Sequence, residues 1–516
     1  MTGWRWDEGQ ARVLSHAAGP LLVLGSAGTG KTTLLVELMA RRMRAGEAPA
    51  LALCLSRQAA SEVRDRVTRA SGRTSLAPRA MTLHAFCLGV SSRFADSTDA
   101  APRLLTAPEQ EFRISELLAG RGAGHWPESL AQACGTRAFA RQARGALARA
   151  RQLGLDPVEV SEAGVAASEP GWVALGRVMD EYLDVLDAEG VLDYAELVHR
   201  VRILLERPEV LEAIRREHGA VYVDEFSELD PAQLALVRAL VADGDEVVAF
   251  ADPDSAIFRF RGAHPRAVGE FVRLFGGEVV PLGVNHRSPA AVVGASRGVA
   301  GRLGVPALDA GLIRAYRGAV AGGAGAGRLD VWTFPDDAAQ ARRVASELRA
   351  EHLERGSRWA DMAVLVRSGR QQIPGLARAL TDAGIPVEVA GDEIGLADEL
   401  AVRPLLLALK LAARAGGCDA DEASRLLTSG WGGLDAVEMR ALGRALRAAA
   451  GPAGSSIGRT AADLIAEALN GGPLPEASDE EPEAGPSAAL AVLRARREVL
   501  ARAREVGNID ARPGYV

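Results

Sequence analysis

The chain has 516 residues, of which 48% are hydrophobic, enough for several folded domains of roughly 150 residues each. No apolar run approaches the roughly 18 residues of a membrane-spanning helix, and the N-terminus shows no apolar leader, so neither a membrane span nor an export signal is expected. The net charge of −7 gives no overall sign of nucleic-acid binding, for which a local basic groove matters more than the sum; the scattered Cys54, Cys87, Cys134 and Cys418, with no C-x-x-C or metal spacing, predict reduced structural thiols in the cytoplasm.

In chain order, residues 21–24 predict a short buried strand and residues 33–44 an amphipathic helix. Between them, Gly25, Ser26, Ala27, Gly28, Thr29, Gly30, Lys31 and Thr32 fit G-x-x-x-x-G-K-[ST], a loop whose backbone N–H groups wrap the phosphates of a nucleoside triphosphate. Lys31 is one of two lysines in a chain that otherwise takes arginine for positive charge. Keeping lysine there suits a compact ammonium on a flexible stem. In the motif Lys31 reaches the β- and γ-phosphates, and the Thr32 hydroxyl holds Mg2+.

Residues 91–180, rich in Ala, Arg and Leu at helical spacing, read as a helical domain inserted before the next core strand. Arg137, Arg141, Arg144, Arg149 and Arg151 form either a DNA-facing side of it or a solvated helix surface. Residues 220–223 predict an apolar strand ending in Asp224, placed to hold Mg2+, and Glu225, placed to polarise the attacking water as general base. A strand over 246–251 runs into residues 252–263, where Phe258 and Phe260 alternate with arginines. That pattern suits base stacking beside phosphate contacts, and equally an ordinary core. Downstream, residues 321–327 read as a flexible glycine-rich linker or surface loop, 329–334 as a strand, and 471–486 as a polar stretch expected to be disordered.

Taken together, the chain resembles the UvrD/Rep/PcrA-like superfamily 1 DNA helicases. Asp7-Glu8-Gly9-Gln10 resembles the adenine-reading Q motif, residues 53–60 motif Ia, and Thr82-Leu83-His84-Ala85-Phe86 the T-x-H-x-F motif. Asp224-Glu225-Phe226 matches motif II, residues 252–263 motif III, and Asn285-His286-Arg287-Ser288 motif IV. The resemblance implies that Gln10 binds adenine, that His286 stacks on it, and that Arg261 and Arg287 face the γ-phosphate. ATP would then span Gly28 to Thr33 on one side and Arg287 on the other, with Arg57, His84, Phe258 and Phe260 toward DNA. Trp4 and Trp6 precede Gln10 and either close over adenine or pack the first helix.

Departures from the family pattern are informative. Ser227 and Glu228 stand where motif II continues with glutamine and aspartate, and Ser255 where motif III carries a glutamine near the attacking water. Leu55 replaces the aromatic of motif Ia, and Thr33 an adenine-stacking arginine. With the Ala/Arg/Gly-rich composition, these changes look like the AdnA-type subunit of the actinobacterial AdnAB helicase–nuclease. No V-x-T-x-H-x-x-K-G-L-E or V-A-x-T-R-A segment occurs, and no nuclease region with iron–sulfur cysteines, so the second motor domain is expected to be C-terminally incomplete.

The expected fold is α/β, a P-loop NTPase with two RecA-like parallel-sheet domains and helical insertions. Residues 1–90 and 181–288 form the first such domain, 91–180 the insertion with possible DNA contact, 289–410 the start of the second, and 411–516 a partial helical insertion with a tail. The implied activity is an ATP- and Mg2+-dependent 3′→5′ helicase or translocase in DNA repair or recombination. The implied partners are single-stranded or 3′-tailed DNA and an AdnB-like helicase–nuclease subunit, with no membrane. The alternative is an ATP- and DNA-binding auxiliary subunit, or a truncated helicase, with little or no hydrolysis of its own.

Overall fold

The computed structural model describes residues 5–72, 78–94, 103–121, 125–242, 244–323, 325–389, 402–414, 417–449, 459–475 and 486–510. Trp4, the acidic stretch at Asp479–Glu481 and the last six residues lie outside them. The chain divides into two compact units, residues 1–330 and 331–516.

In chain order the strands are β1 (Leu21–Leu24), β2 (Ala50–Cys54), β3 (Arg79–Thr82), β4 (Arg103–Leu104) and β5 (Val191–Leu192). They continue as β6 (Ala220–Val223), β7 (Val247–Ala251), β8 (Glu278–Pro281), β9 (Val284–Asn285) and β10 (Val320–Ala321). Six of them form one parallel sheet in the order β3-β2-β6-β7-β1-β8. Strands β1, β2, β6 and β7 are buried along their whole length, so they read as continuous apolar runs.

Alternation then divides their side chains between two faces. Leu22, Leu24, Leu51, Leu53, Val221 and Val223 enter one core, and Leu21, Val23, Ala50, Ala52, Tyr222 and Phe250 the other. Each fully buried leucine or valine contributes about 1.5–3 kcal/mol. The register sets Leu24 against Ala251, and the loops leaving the carboxyl ends of β1, β6 and β7 hold Gly25, Asp224 and Asp252. Crevices at the carboxyl ends of parallel strands are where such sheets bind ligands.

The helix predicted at 33–44 spans Lys31–Ala45 and buries Leu34, Leu35, Met39 and Met43 against the second face. The inserted domain has its own core, from Leu105 to Val191, with Trp126 and Phe139 packed edge to face. It therefore starts later and ends later than 91–180. Helix Leu83–Phe94 belongs to the main core through Phe86, Cys87 and Val90. The predicted basic side of the insertion is largely engaged within the protein. Arg141 and Arg144 pair with Glu111 at 3.5 and 3.3 Å, and Arg151 is buried against Glu196 at 2.7 Å.

Residues 289–330 also depart from the expected boundary. Helix Ala310–Arg317 places Tyr316 in the main core, and β10 pairs with β9, so this segment folds with the first unit. The second unit contains the helix pair Asp337–Arg355 and Gly369–Asp382, with Ala345, Leu380 and Ile385 between them. A separate core is built by helices Arg403–Ala413, Ala420–Leu427, Ala436–Ala449, Ala461–Leu469 and Pro486–Asp510. The strand expected at 329–334 is not formed, and no strand occurs among the described residues of this unit. Among the described residues its extended segments pair with no strand, and Leu365 stays 90% exposed.

Candidate nucleotide and DNA site

The phosphate loop is held from outside by its carbonyls. Lys31 Nζ donates to Gly25 O at 2.7 Å and Ser26 O at 3.3 Å, and Asn285 Nδ2 donates to Ala27 O at 2.7 Å. The His286 N–H reaches Gly28 O at 2.9 Å, and Gln10 Nε2 reaches Thr29 O at 3.1 Å. The helix that follows is N-capped by Gly30, in the left-handed region, which offers no side-chain cap. Its first N–H groups have no intrahelical partners, which makes this terminus an anion site. Gly28 has φ +89°, and a Cβ there would meet Asn285 Oδ1 at 2.5 Å, so the close approach of motif IV requires glycine.

Gln10 is fully buried and reciprocally caps the first helix with Asp7, whose Oδ2 lies 2.8 Å from His286 Nε2. The Q-motif and motif IV residues therefore meet at the loop. Trp6 packs against the core of the second sheet face. The Thr33 hydroxyl accepts from Arg66 at 2.9 Å, so that side chain is bound from the helix side.

Asp224 follows β6, is 8% exposed, and its Oδ1 has no hydrogen-bond partner. Burial raises its pKa, and the nearby Lys31 opposes the rise. An orphaned buried carboxylate oxygen beside the phosphate loop fits Mg2+, which demands oxygen ligands; with the Thr32 hydroxyl it would hold the ion, which would neutralise charge on the phosphates. Glu225 has φ +51°, a conformation that costs a non-glycine residue of order 1–3 kcal/mol and clusters at functional sites. Its pKa is raised mainly by burial, against Lys31, with Asp224, Asp252 and Glu228 adding to the rise. That tuning suits a general base.

Glu228 ties this acidic pair to motif III. Its two carboxylate oxygens accept from the N–H groups of Ile257 (2.8 Å) and Phe258 (3.0 Å), at the start of the turn Phe258–Arg261. Phe260 is 79% exposed, and the Arg261 guanidinium lies 4.7 and 5.5 Å from the centres of the Phe258 and Phe260 rings. Arg261 is thus engaged by cation–π contacts. Arg287 is exposed, with its Cβ beside Gly28 at the loop. From the insertion, Arg149 donates to Gly262 O at 2.7 Å and Gln152 to Arg261 O at 2.8 Å.

Arg57 is exposed at the start of helix Arg57–Ser71. The His84 ring meets Tyr194 edge to face at 5.0 Å, and burial lowers its pKa, so it bridges two core helices. Asp252, Tyr316 and the anchoring role of Asn285 were not legible as site features. The available signal was that β7, like β6, ends in an aspartate.

A parallel sheet with a glycine loop and an acidic pair at its carboxyl ends defines a P-loop nucleotide-binding protein. The family profile of the UvrD/REP helicase N-terminal domain matches residues 6–275, and the chain belongs to that family. It is 29% identical over 409 residues to ATP-dependent DNA helicase UvrD1 of Mycobacterium tuberculosis (strain ATCC 25618 / H37Rv), covering 74% of this chain and 49% of the relative. DNA helicase II of Escherichia coli (strain K12) is 26% identical over 406 residues, with 75% and 51% covered. UvrD2 of the same M. tuberculosis strain is 28% identical over 431 residues, with 78% and 57% covered. The chain therefore spans about half the length of the curated relatives it matches.

Proposed function

We propose that the chain is an ATP-dependent, Mg2+-requiring DNA helicase or translocase that moves 3′→5′ on single-stranded DNA in repair or recombination in the cytoplasm. We assign it to an AdnA-type subunit with an AdnB-like partner. Polarity, pathway and partner rest on the resemblance of the motifs. The relatives' names support the use of ATP and the action on DNA. The observation that carries the reading is Glu228, whose N–H donates to Glu225 O at 2.9 Å and whose carboxylate accepts from the N–H groups of Ile257 and Phe258, at the base of the turn that exposes Phe260. In this reading Lys31 and the loop N–H groups bind the triphosphate, Glu225 takes a proton from the attacking water, and Arg287 approaches the γ-phosphate. The change at Glu225 passes through Glu228 to the rings that stack on bases.

A second reading is an ATP- and DNA-binding auxiliary subunit. Ser255 favours it: the hydroxyl at the usual glutamine position donates to Asp252 at 2.8 Å. ATP turnover by the chain, with and without single-stranded DNA, separates the two. DNA-stimulated turnover that disappears in Glu225→Gln, with ATP binding retained, supports the motor. Binding of both ligands without turnover supports the auxiliary subunit, and turnover unchanged in Glu225→Gln removes that residue as base.

A further inference from the structure

Helix Ala310–Arg317 belongs to none of the sequence motifs, yet its last two residues reach the turn that follows β7. Tyr316 is fully buried in the main core. Its hydroxyl donates to Asp252 Oδ1 and accepts from the Asp254 N–H at 3.4 Å. Arg317 closes on the Asp254 carboxylate as a two-point fork at 2.8 and 2.6 Å. On its other oxygen, Asp252 accepts from Ser255 Oγ at 2.8 Å and stands 3.7 Å from Lys31 Nζ.

Asp252 is 2% exposed, so its charge is satisfied by protein groups rather than by water. Two hydroxyl donors take up both oxygens, and Lys31 remains at ion-pair range instead of in direct hydrogen-bond contact. We infer that Tyr316 is a positioning residue of the nucleotide site. By donating to Asp252 it keeps that carboxylate from capturing Lys31, and with Arg317 it fixes the turn facing the phosphate loop. Without the hydroxyl, Asp252 is one donor short in a buried place and turns to the nearest cation. Lys31 must leave that cation–carboxylate contact to meet a phosphate, so nucleotide affinity falls. The inference rests on the ATP-binding reading above.

The test is equilibrium titration of the full chain with a fluorescent, non-hydrolysable Mg·ATP analogue, in the wild type, Tyr316→Phe, Asp252→Asn and the double variant. Cooperative thermal unfolding checks the fold of each. Tyr316→Phe is expected to weaken binding by about tenfold, the scale of a hydrogen bond to a charged group. The same change in the Asp252→Asn background is expected to do nothing, because the competing carboxylate is gone. Unchanged affinity in Tyr316→Phe, or equal losses in both backgrounds, overturns the inference while leaving the ATP site intact. A wild-type chain that binds no analogue overturns the site reading and the inference with it. If Tyr316→Phe does not fold, Ser255→Ala removes the other donor from an exposed position. A weakening confined to the Asp252 background supports the inference, and no weakening overturns it.

Discussion

Replacing Glu228 by glutamine isolates the link between the acidic pair and the ring platform. Glu228 is buried, and its carboxylate accepts from Ile257 N at 2.8 Å and Phe258 N at 3.0 Å. Glutamine fills the same space and keeps one acceptor, but sets an NH2 group against the other N–H. The loss is one hydrogen bond to a charged group, about 1.5–3 kcal/mol, or about 10- to 150-fold in the population of the ordered turn. Because the turn carries Phe258 and Phe260, the loss falls on DNA rather than on nucleotide. Fluorescence anisotropy with a labelled oligothymidine is expected to show a DNA affinity lower by at least about tenfold at fixed salt. A fluorescent ATP analogue is expected to bind as in the wild type. Retained DNA affinity, or a parallel loss of ATP affinity, would refute the argument that Glu228 serves the platform.

Two further changes probe the loop and the fold. Gly28→Ala forces a residue with a Cβ to φ +89° and drives it against the Asn285 side chain, which itself holds Ala27, Arg287 and Ser288. The conformation alone costs about 1–2 kcal/mol, so nucleotide affinity is expected to drop by about tenfold or more in the same titration, and wild-type affinity would contradict the geometry. Asp230 caps helix Pro231–Leu240, accepting from the Gln233 N–H at 2.8 Å, and burial pushes its pKa up to about 6. A carboxyl with a raised native pKa stabilises fully below its unfolded value, about 3.9, and loses that contribution as pH rises through about 6. Asp230→Asn keeps a capping oxygen without the titration, so urea midpoints of wild type and variant are expected to diverge, in the variant's favour, between pH 4 and 7. Parallel curves would show that Asp230 titrates normally.

The parts that were legible in the sequence are those specified locally. Leu21 to Thr32 combines an apolar strand, obligatory glycines and a lysine, and each element forms within a residue or two of its expected place. Strands β6 and β7 were equally plain, because a strand buried on both faces is a continuous apolar run ending where its carboxylates begin. What failed depended on distant partners. Helix Leu83–Phe94 runs four residues past the expected boundary at 90, and only its packing against the sheet keeps that last turn with the main core. Residues 329–334 carry a strand's side chains, but strands need neighbours, and Val331 is left 85% exposed. Glu228 was legible only as a departure from the family pattern, with no local signal of its partners. The longer side chain spans to two backbone N–H groups of motif III. Tyr316 gave no local signal, since its partner lies 64 positions away.

The grip of Arg149 and Gln152 on the carbonyls of Gly262 and Arg261 bears on how this architecture can be re-engineered. An inserted bundle with its own core looks like a cassette that could be exchanged between relatives. Here the recipient surface includes main-chain atoms of the ring-bearing turn, and the donor groups sit at the last turn of helix Arg137–Gln152. A chimera that trades the bundle without matching those two side chains detaches a strut from the platform while leaving every recognisable motif in place. Compatibility between bundle and nucleotide-binding domain is therefore written at the joint, outside the residues that define either part.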